Sequence, residues 1–145
     1  MIDEIAGNNA QFTAWRQDIH QHPELGFEEQ RTAKLVADKL TEWGFDEVYT
    51  GIAKTGVVGV LRGKTLAART IGLRADMDAL AMTENNQFAH ASLNQGKMHG
   101  CGHDGHTTML LAAAWYLAKH RDFSGTVHFI FQPAEEGLHG ADKMV

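Results

Sequence analysis

One cysteine among 145 residues leaves no partner for an intrachain disulfide, which excludes a disulfide-stapled scaffold. Long apolar runs are missing as well, and none approaches the length of a membrane-spanning helix. The opening MIDEIAGNN lacks the basic-then-apolar order of a signal peptide, so cytoplasm is the expected compartment. Basic blocks are also lacking: 13 Lys and Arg against 18 Asp and Glu give a net charge of −5, with no clustered cationic run. Phosphate binding needs such clusters, so neither nucleic acid nor an anionic membrane is expected as a partner. Internal repeats, low-complexity tracts and linkers are absent too.

What is present suits one soluble globular domain with a real core: 43% hydrophobic and 21% charged residues. Apolar spacing through Ile2, Ile5, Phe12, Trp15 and Ile19 predicts a first helix, broken near Gly7-Asn8-Asn9 and stopped by Pro23. A second helix is predicted over 28–43, where Thr32, Leu35, Val36, Lys39 and Leu40 follow a 3.6-residue period and Gly44 terminates it. β-type runs follow at 47–50, 56–61 and 70–74, then an irregular stretch over 76–104. The segment 106–120 reads as a helix, with Met109, Leu110, Ala113 and Trp115 as core packing. Strand 126–132 alternates Val127, Phe129 and Phe131 on one face, and Pro133 ends it. A last helix begins at 139 and runs to Val145 without a cap, which reads as a fragment. Helices alternating with strands predict an α/β fold with a mixed, partly parallel sheet flanked by helices.

The chemistry-bearing residues follow strands, where open α/β sheets bind ligands. Asp76 and Asp78 follow 70–74, Glu135 and Glu136 follow 126–132, and Cys101 and His103 lie in a Gly-rich loop before the 106–120 helix. Cys101 and His103 are two residues apart, which in a plain strand puts both side chains on one face. Thiolate and imidazole are ordinary ligands for zinc and related ions. A Gly-rich turn with capping or surface histidines is the bland alternative for this loop alone. Adjacent carboxylates are usually a solvated pair, but Glu135 and Glu136 follow a buried-looking aromatic strand and a proline. One can ligate an ion while the other takes a proton from a water. Asp76 and Asp78 read first as an Asx turn or N-cap; in context Asp78 orients a ligand or the base.

Nine histidines are more than usual, and four of them (His90, His99, His103, His106) fall within seventeen residues around the cysteine. His20 and His22 read as C-terminal helix caps, His128 as sheet packing and His120 as a helix-end surface residue. His99, His106 and His139 are unassigned, either supporting groups or substrate contacts.

The order HQHPELGFEE, GLRADMDAL, MHGCGHDGHTTMLLAAA and FIFQPAEEGLHGA resembles the M20 metallopeptidase family. More narrowly, it is similar to the N-acyl-amino-acid amidohydrolase branch, with its hippurate, auxin-conjugate and N-acetyldiaminopimelate hydrolases. The resemblance runs from Trp15 onward, and CGHDGH and QPAEEG are its most specific parts. It implies a zinc-exopeptidase-like catalytic domain with Cys101, His103 and Glu136 as metal ligands, Glu135 as general base and Asp78 as the group supporting the site. It also implies two divalent ions, zinc or manganese with cobalt or nickel as alternatives, an activated water, and a small N-acyl amino acid as substrate. Ala81 departs from the family's proline after RADMDAL, a local loop difference. Family chains are much longer, with two further histidine ligands and an inserted lid or dimerisation domain. Residues 1–145 are therefore expected to be the N-terminal portion of the catalytic domain, with homo-oligomerisation resting on the missing domain. Two other readings compete: an inactive fragment or metal-binding module, and a Cys101 nucleophile with His103 as base. The last pair is poorly placed, being two residues apart on a Gly-rich loop.

Overall fold

A computed structural model describes residues 2–145, the side chains of Ile2 and Leu66 excepted. In chain order the elements are α1 (Ile2–Gly7), α2 (Asn9–Gln21), α3 (Gln30–Glu42), β1 (Glu47–Ile52), β2 (Gly56–Arg62), β3 (Thr65–Asp76), α4 (His103–Lys119), β4 (Ser124–Gln132) and α5 (Gly140–Met144). The break in the first helix falls at Asn8, whose side-chain amide donates to the Glu4 carbonyl (2.8 Å) instead of capping α2. Helix α3 receives its cap from farther back. The Glu24 carboxylate accepts the backbone N–H groups of Arg31 and Thr32, both at 2.9 Å, two of the donors a helix start leaves unpaired.

The four strands form one sheet in the order β1-β2-β4-β3. β1 and β2 are an antiparallel hairpin, β2 pairs antiparallel with β4, and β3 pairs parallel with β4. The sheet is thus mixed, as the sequence pattern predicts. A parallel pair needs a long crossover, and here that crossover contains the irregular 77–102 stretch and α4.

Alternation along β4 decides which face is covered. Val127, Phe129 and Phe131 are buried, while Thr126, His128 and Ile130 are half-buried on the opposite side. The inner residues meet Leu61, Gly59 and Val57 of β2 in register. Against that face lie Phe12 and Trp15 of α2, Val36 and Leu40 of α3, and Leu110, Leu111 and Ala114 of α4. Phe129 is fully buried and meets Phe45 edge-on, ring centroids 5.2 Å apart. His128 lies on the sheet, as its position in the alternation indicates.

Met109 corrects one expectation. It is 64% exposed and not part of the core. The buried stripe of α4 runs through Thr107, Leu110, Leu111 and Ala114, and Met109 lies about 100° of helix rotation off Leu110. Among the described residues no helix is long and apolar enough to cross a membrane.

Core geometry therefore predicts a contrast between two apolar truncations. Phe129→Ala should lower unfolding free energy by about 3–5 kcal/mol, whereas Met109→Ala should change it by no more than about 0.5 kcal/mol. Urea unfolding followed by tryptophan fluorescence measures both, and equal losses would contradict the assignment of the core face.

Candidate metal centre

Strands β3 and β4 run parallel and finish together, with Asp76 opposite Gln132 and the Met77 amide donating to the Gln132 carbonyl (3.0 Å). Residues just past each strand therefore emerge at one edge of the sheet. Helix α4 begins at that same edge with His103 as its first residue. Gly102 precedes it in the left-handed region (φ +94°), a conformation that costs glycine little. The turn at Gly102, rather than the flat strand considered from the i, i+2 spacing, brings Cys101 back beside His103.

Ligating atoms of Cys101, His103 and Glu136 all lie within 4.8 Å of one another. His103 Nε2 is 3.8 Å from Glu136 Oε1 and 3.9 Å from Glu135 Oε2. Glu135 is the more open carboxylate, its side chain 42% exposed against 29% for Glu136. His103 is buried, and its Nδ1 faces the Asp78 carbonyl at 2.8 Å and Asp78 Oδ1 at 3.2 Å. Both partners are acceptors, so Nδ1 carries the proton and Nε2 is left facing Cys101 and the carboxylates. The other Asp78 oxygen accepts the Glu136 backbone N–H at 2.9 Å. All five residues singled out from the sequence thus meet in one place. Neither aspartate merely closes a local turn, because their bonds reach α4 and the 133–137 loop.

Charge at this edge is predominantly negative. Burial works to push the Asp78 carboxyl up, but bonds from His103 and from the Glu136 and Glu135 amides together outweigh it and leave it below its ordinary range. For His103 burial works downward, and the bond to Asp78 with the charges of Asp76 and Asp78 outweighs it, so the imidazole is raised. A hydrogen bond to Glu136 comes first among the effects that raise the Cys101 thiol, followed by burial and the charges of Glu136, Glu135 and Asp76.

Asp76 and His106 also join the site. Asp76 Oδ1 lies 2.7 Å from His106 Nδ1 and 3.6 Å from His103 Nε2, and its other oxygen pairs with Arg74 at 3.0 Å. Asp76, His103 and His106 make a second set of atoms within 4.8 Å of one another. His106 completes the first turn of α4 three residues after His103, so the two rings share a helix face, a signal readable in CGHDGH.

His20 is not a helix cap. It is buried, with Nδ1 2.8 Å from Asp104 and Nε2 3.1 Å from Glu84, and Arg16 reaches the same Asp104 oxygen at 3.0 Å. His22 does close its helix end, its Nδ1 against the Asp18 carbonyl at 2.7 Å. His120 caps α4 and pairs with Glu4 at 2.7 Å. His99 is 4% exposed, neither ring nitrogen has a partner, and burial pushes its pKa down to about 4.

Residues 72–145 match the peptidase family M20/M25/M40. A hippurate hydrolase from Campylobacter jejuni is 54% identical over 145 residues, covering 100% of this chain and 37% of that protein. An IAA-amino acid hydrolase from Arabidopsis thaliana is 53% identical over 131 residues, covering 90% of this chain and 29% of that one. The crystal structure of the Bacillus subtilis YXEP protein, a dinuclear metal-binding peptidase from the M20 family, superposes with a TM-score of 0.89 at 39% identity, covering 95% of this chain and 38% of that chain. The chain spans 29–37% of the length of the two curated relatives.

Removing the Asp78 carboxylate should leave the Glu136 amide without its acceptor and His103 Nδ1 with the Asp78 backbone carbonyl alone. Asp78→Ala is expected to destabilise the chain by about 1–3 kcal/mol, as leaving a donor unsatisfied does. Urea melts test this, and a loss below about 1 kcal/mol would show that the three segments are held by something else.

Proposed function

Because the chain belongs to the peptidase family M20/M25/M40, in its N-acyl-amino-acid amidohydrolase branch, we propose that the protein hydrolyses the amide bond of a small N-acyl amino acid. The observation that carries the reading is the convergence of Cys101, His103 and Glu136 within 4.8 Å, with the Glu135 carboxylate open beside them. Residues 1–145 then correspond to the N-terminal portion of the catalytic domain, and the remaining ligands and any oligomer contacts belong to the rest of the longer enzyme.

The donor set fits a divalent ion. Thiolate, imidazole and carboxylate are its usual ligands, Asp78 leaves His103 Nε2 turned toward the other two, and the surrounding carboxylates supply negative potential. Cys101, His103 and Glu136 would hold metal as part of a two-ion site, with zinc or manganese first and cobalt or nickel as alternatives. Bound there, the pair would polarise the scissile carbonyl and lower the pKa of the attacking water. Glu135 is the chain's own proton carrier: its more exposed carboxylate accepts the water proton as the oxygen bonds to the carbonyl carbon. The same group returns that proton to the nitrogen when the C–N bond breaks, so acid and amine leave balanced. Asp78 contributes by holding His103 and the Glu136 peptide in place.

In the intact enzyme Glu135→Gln should lower kcat by about 10²–10⁴ while metal content stays near wild type. Glu136→Gln should lower metal content itself. Metal analysis beside steady-state kinetics reads both, and retained turnover in Glu135→Gln would remove it from the proton path.

A second reading follows from length: a chain spanning 29–37% of its relatives carries only part of a ligand set, and by itself acts as an inactive fragment or a weak metal-binding module. The 145-residue chain alone is expected to show substoichiometric metal and no hydrolysis of acyl amino acids. Turnover by this chain would refute that reading.

A further inference from the structure

Ala134, immediately before the two carboxylates, has a left-handed backbone (φ +53°) and is fully buried. A non-glycine residue adopts that conformation at a cost and keeps it only where its surroundings impose it. Two groups hold the Ala134 backbone: the Gly140 N–H donates to its carbonyl at 2.9 Å, and its own N–H donates to Glu29, at the start of α3. The Glu29 side chain is fully buried, with Oε1 accepting the Ala134 N–H at 2.8 Å and Oε2 accepting the Thr55 hydroxyl at 2.6 Å. The chain just before Glu29 closes the same gap, since a Cβ on Gly26 would lie 3.0 Å from both Cα and Cβ of Ala134. Beyond Ala134, the Glu136 amide is pinned to Asp78 at 2.9 Å. Glu135 therefore leaves the chain between two residues tied to buried carboxylates on opposite sides. Burying a carboxylate is expensive, and burial pushes Glu29 above its ordinary pKa despite its hydrogen bonds. Glu29 has no bond to any proposed ligand, so its cost is tied to the loop that carries the proposed base.

We propose that Glu29 is a positioning residue for the hydrolysis, its buried carboxylate setting the backbone of Ala134 and thereby the direction in which Glu135 leaves the chain. The proposal rests on the reading of Glu135 as proton carrier. What matters is an acceptor oxygen at this reach, rather than negative charge. Glutamine keeps that oxygen and can turn its amide toward the Thr55 oxygen. Aspartate keeps the charge but withdraws the oxygens by about 1.5 Å, one C–C bond.

The test is made on the intact, metal-loaded enzyme, with rates taken per metal-loaded site and below the Tm of each variant. Glu29→Gln should keep kcat within about threefold of wild type, and Glu29→Asp should lose about 100-fold in kcat with KM and metal content unchanged, the scale of a misplaced reacting group. Thr55→Val frees Oε2 without removing an acceptor, and should lower kcat about fivefold at constant KM. It carries the test alone if the Asp variant does not fold. Wild-type kcat in Glu29→Asp or Thr55→Val, or a loss in Gln as deep as in Asp, overturns the role of Glu29. A wild-type enzyme that does not hydrolyse N-acyl amino acids overturns the functional reading itself, a distinct result because the variants then have no reference rate.

Discussion

The Asp78 side chain, only 1% exposed, is the junction at which the sheet edge, the start of α4 and the 133–137 loop meet. One oxygen receives the His103 ring and the other receives the Glu136 backbone amide, so a single carboxylate ties a side chain of α4 and the backbone of the 133–137 loop to the sheet edge. Hydrogen bonds offset the cost of burying it, and they hold its pKa low in spite of burial. Bonds of His106 and Thr107 to Asp76 also tie the sheet edge to α4, but the Asp78 carboxylate is the group that joins the 133–137 loop to both.

Asp76, Asp78, Glu135, Glu136 and the Cys101 thiol crowd an edge where His103, His106 and Arg74 are the neighbouring cationic or titratable bases. Such a surplus of acceptors destabilises the fold when considered alone, because like charges repel in a partly buried setting. Its logic lies in the proposed chemistry, where a divalent ion and a positioned base share one pocket. Local strain follows the same line: Ala134, a non-glycine residue with a left-handed backbone, directly precedes the proposed base and ligand.

Much of the architecture was legible because the patterns were local. The alternation of Val127, Phe129 and Phe131 and the periodicity through Thr32, Val36 and Leu40 each describe one element burying one face. The clustering of the candidate residues has a different origin: Asp76, Asp78, Glu135 and Glu136 stand at or just past strands that end at one edge, and Cys101 and His103 stand at the helix start that meets it. Less accessible were features set by distant partners. Asp104 meets His20 across 84 positions, and nothing near His20 in sequence distinguishes that buried pair from a helix cap. Met109 differs from Leu110 by one step of rotation, which composition cannot resolve. Cys101 and His103 meet through a left-handed Gly102 within the Gly-rich loop, a turn whose sense the i, i+2 spacing does not specify.

Sequence distance also sets a timetable. The Glu29 carboxylate and the Ala134 amide are 105 residues apart, and Asp78 lies 58 residues from the amide it holds. During synthesis, which proceeds from the N-terminus at about 5–20 residues per second, helix α3 and the β1–β2 hairpin emerge well before their partner on the 133–137 loop. Until β4 pairs with β3, Glu29 has nothing but Thr55 and solvent to satisfy it. Pairing of those parallel strands closes a long loop, an entropically slow event, and only then is the acid worth burying. The Ala134 amide, one of the two native partners of the Glu29 carboxylate, is therefore made long after the acid itself.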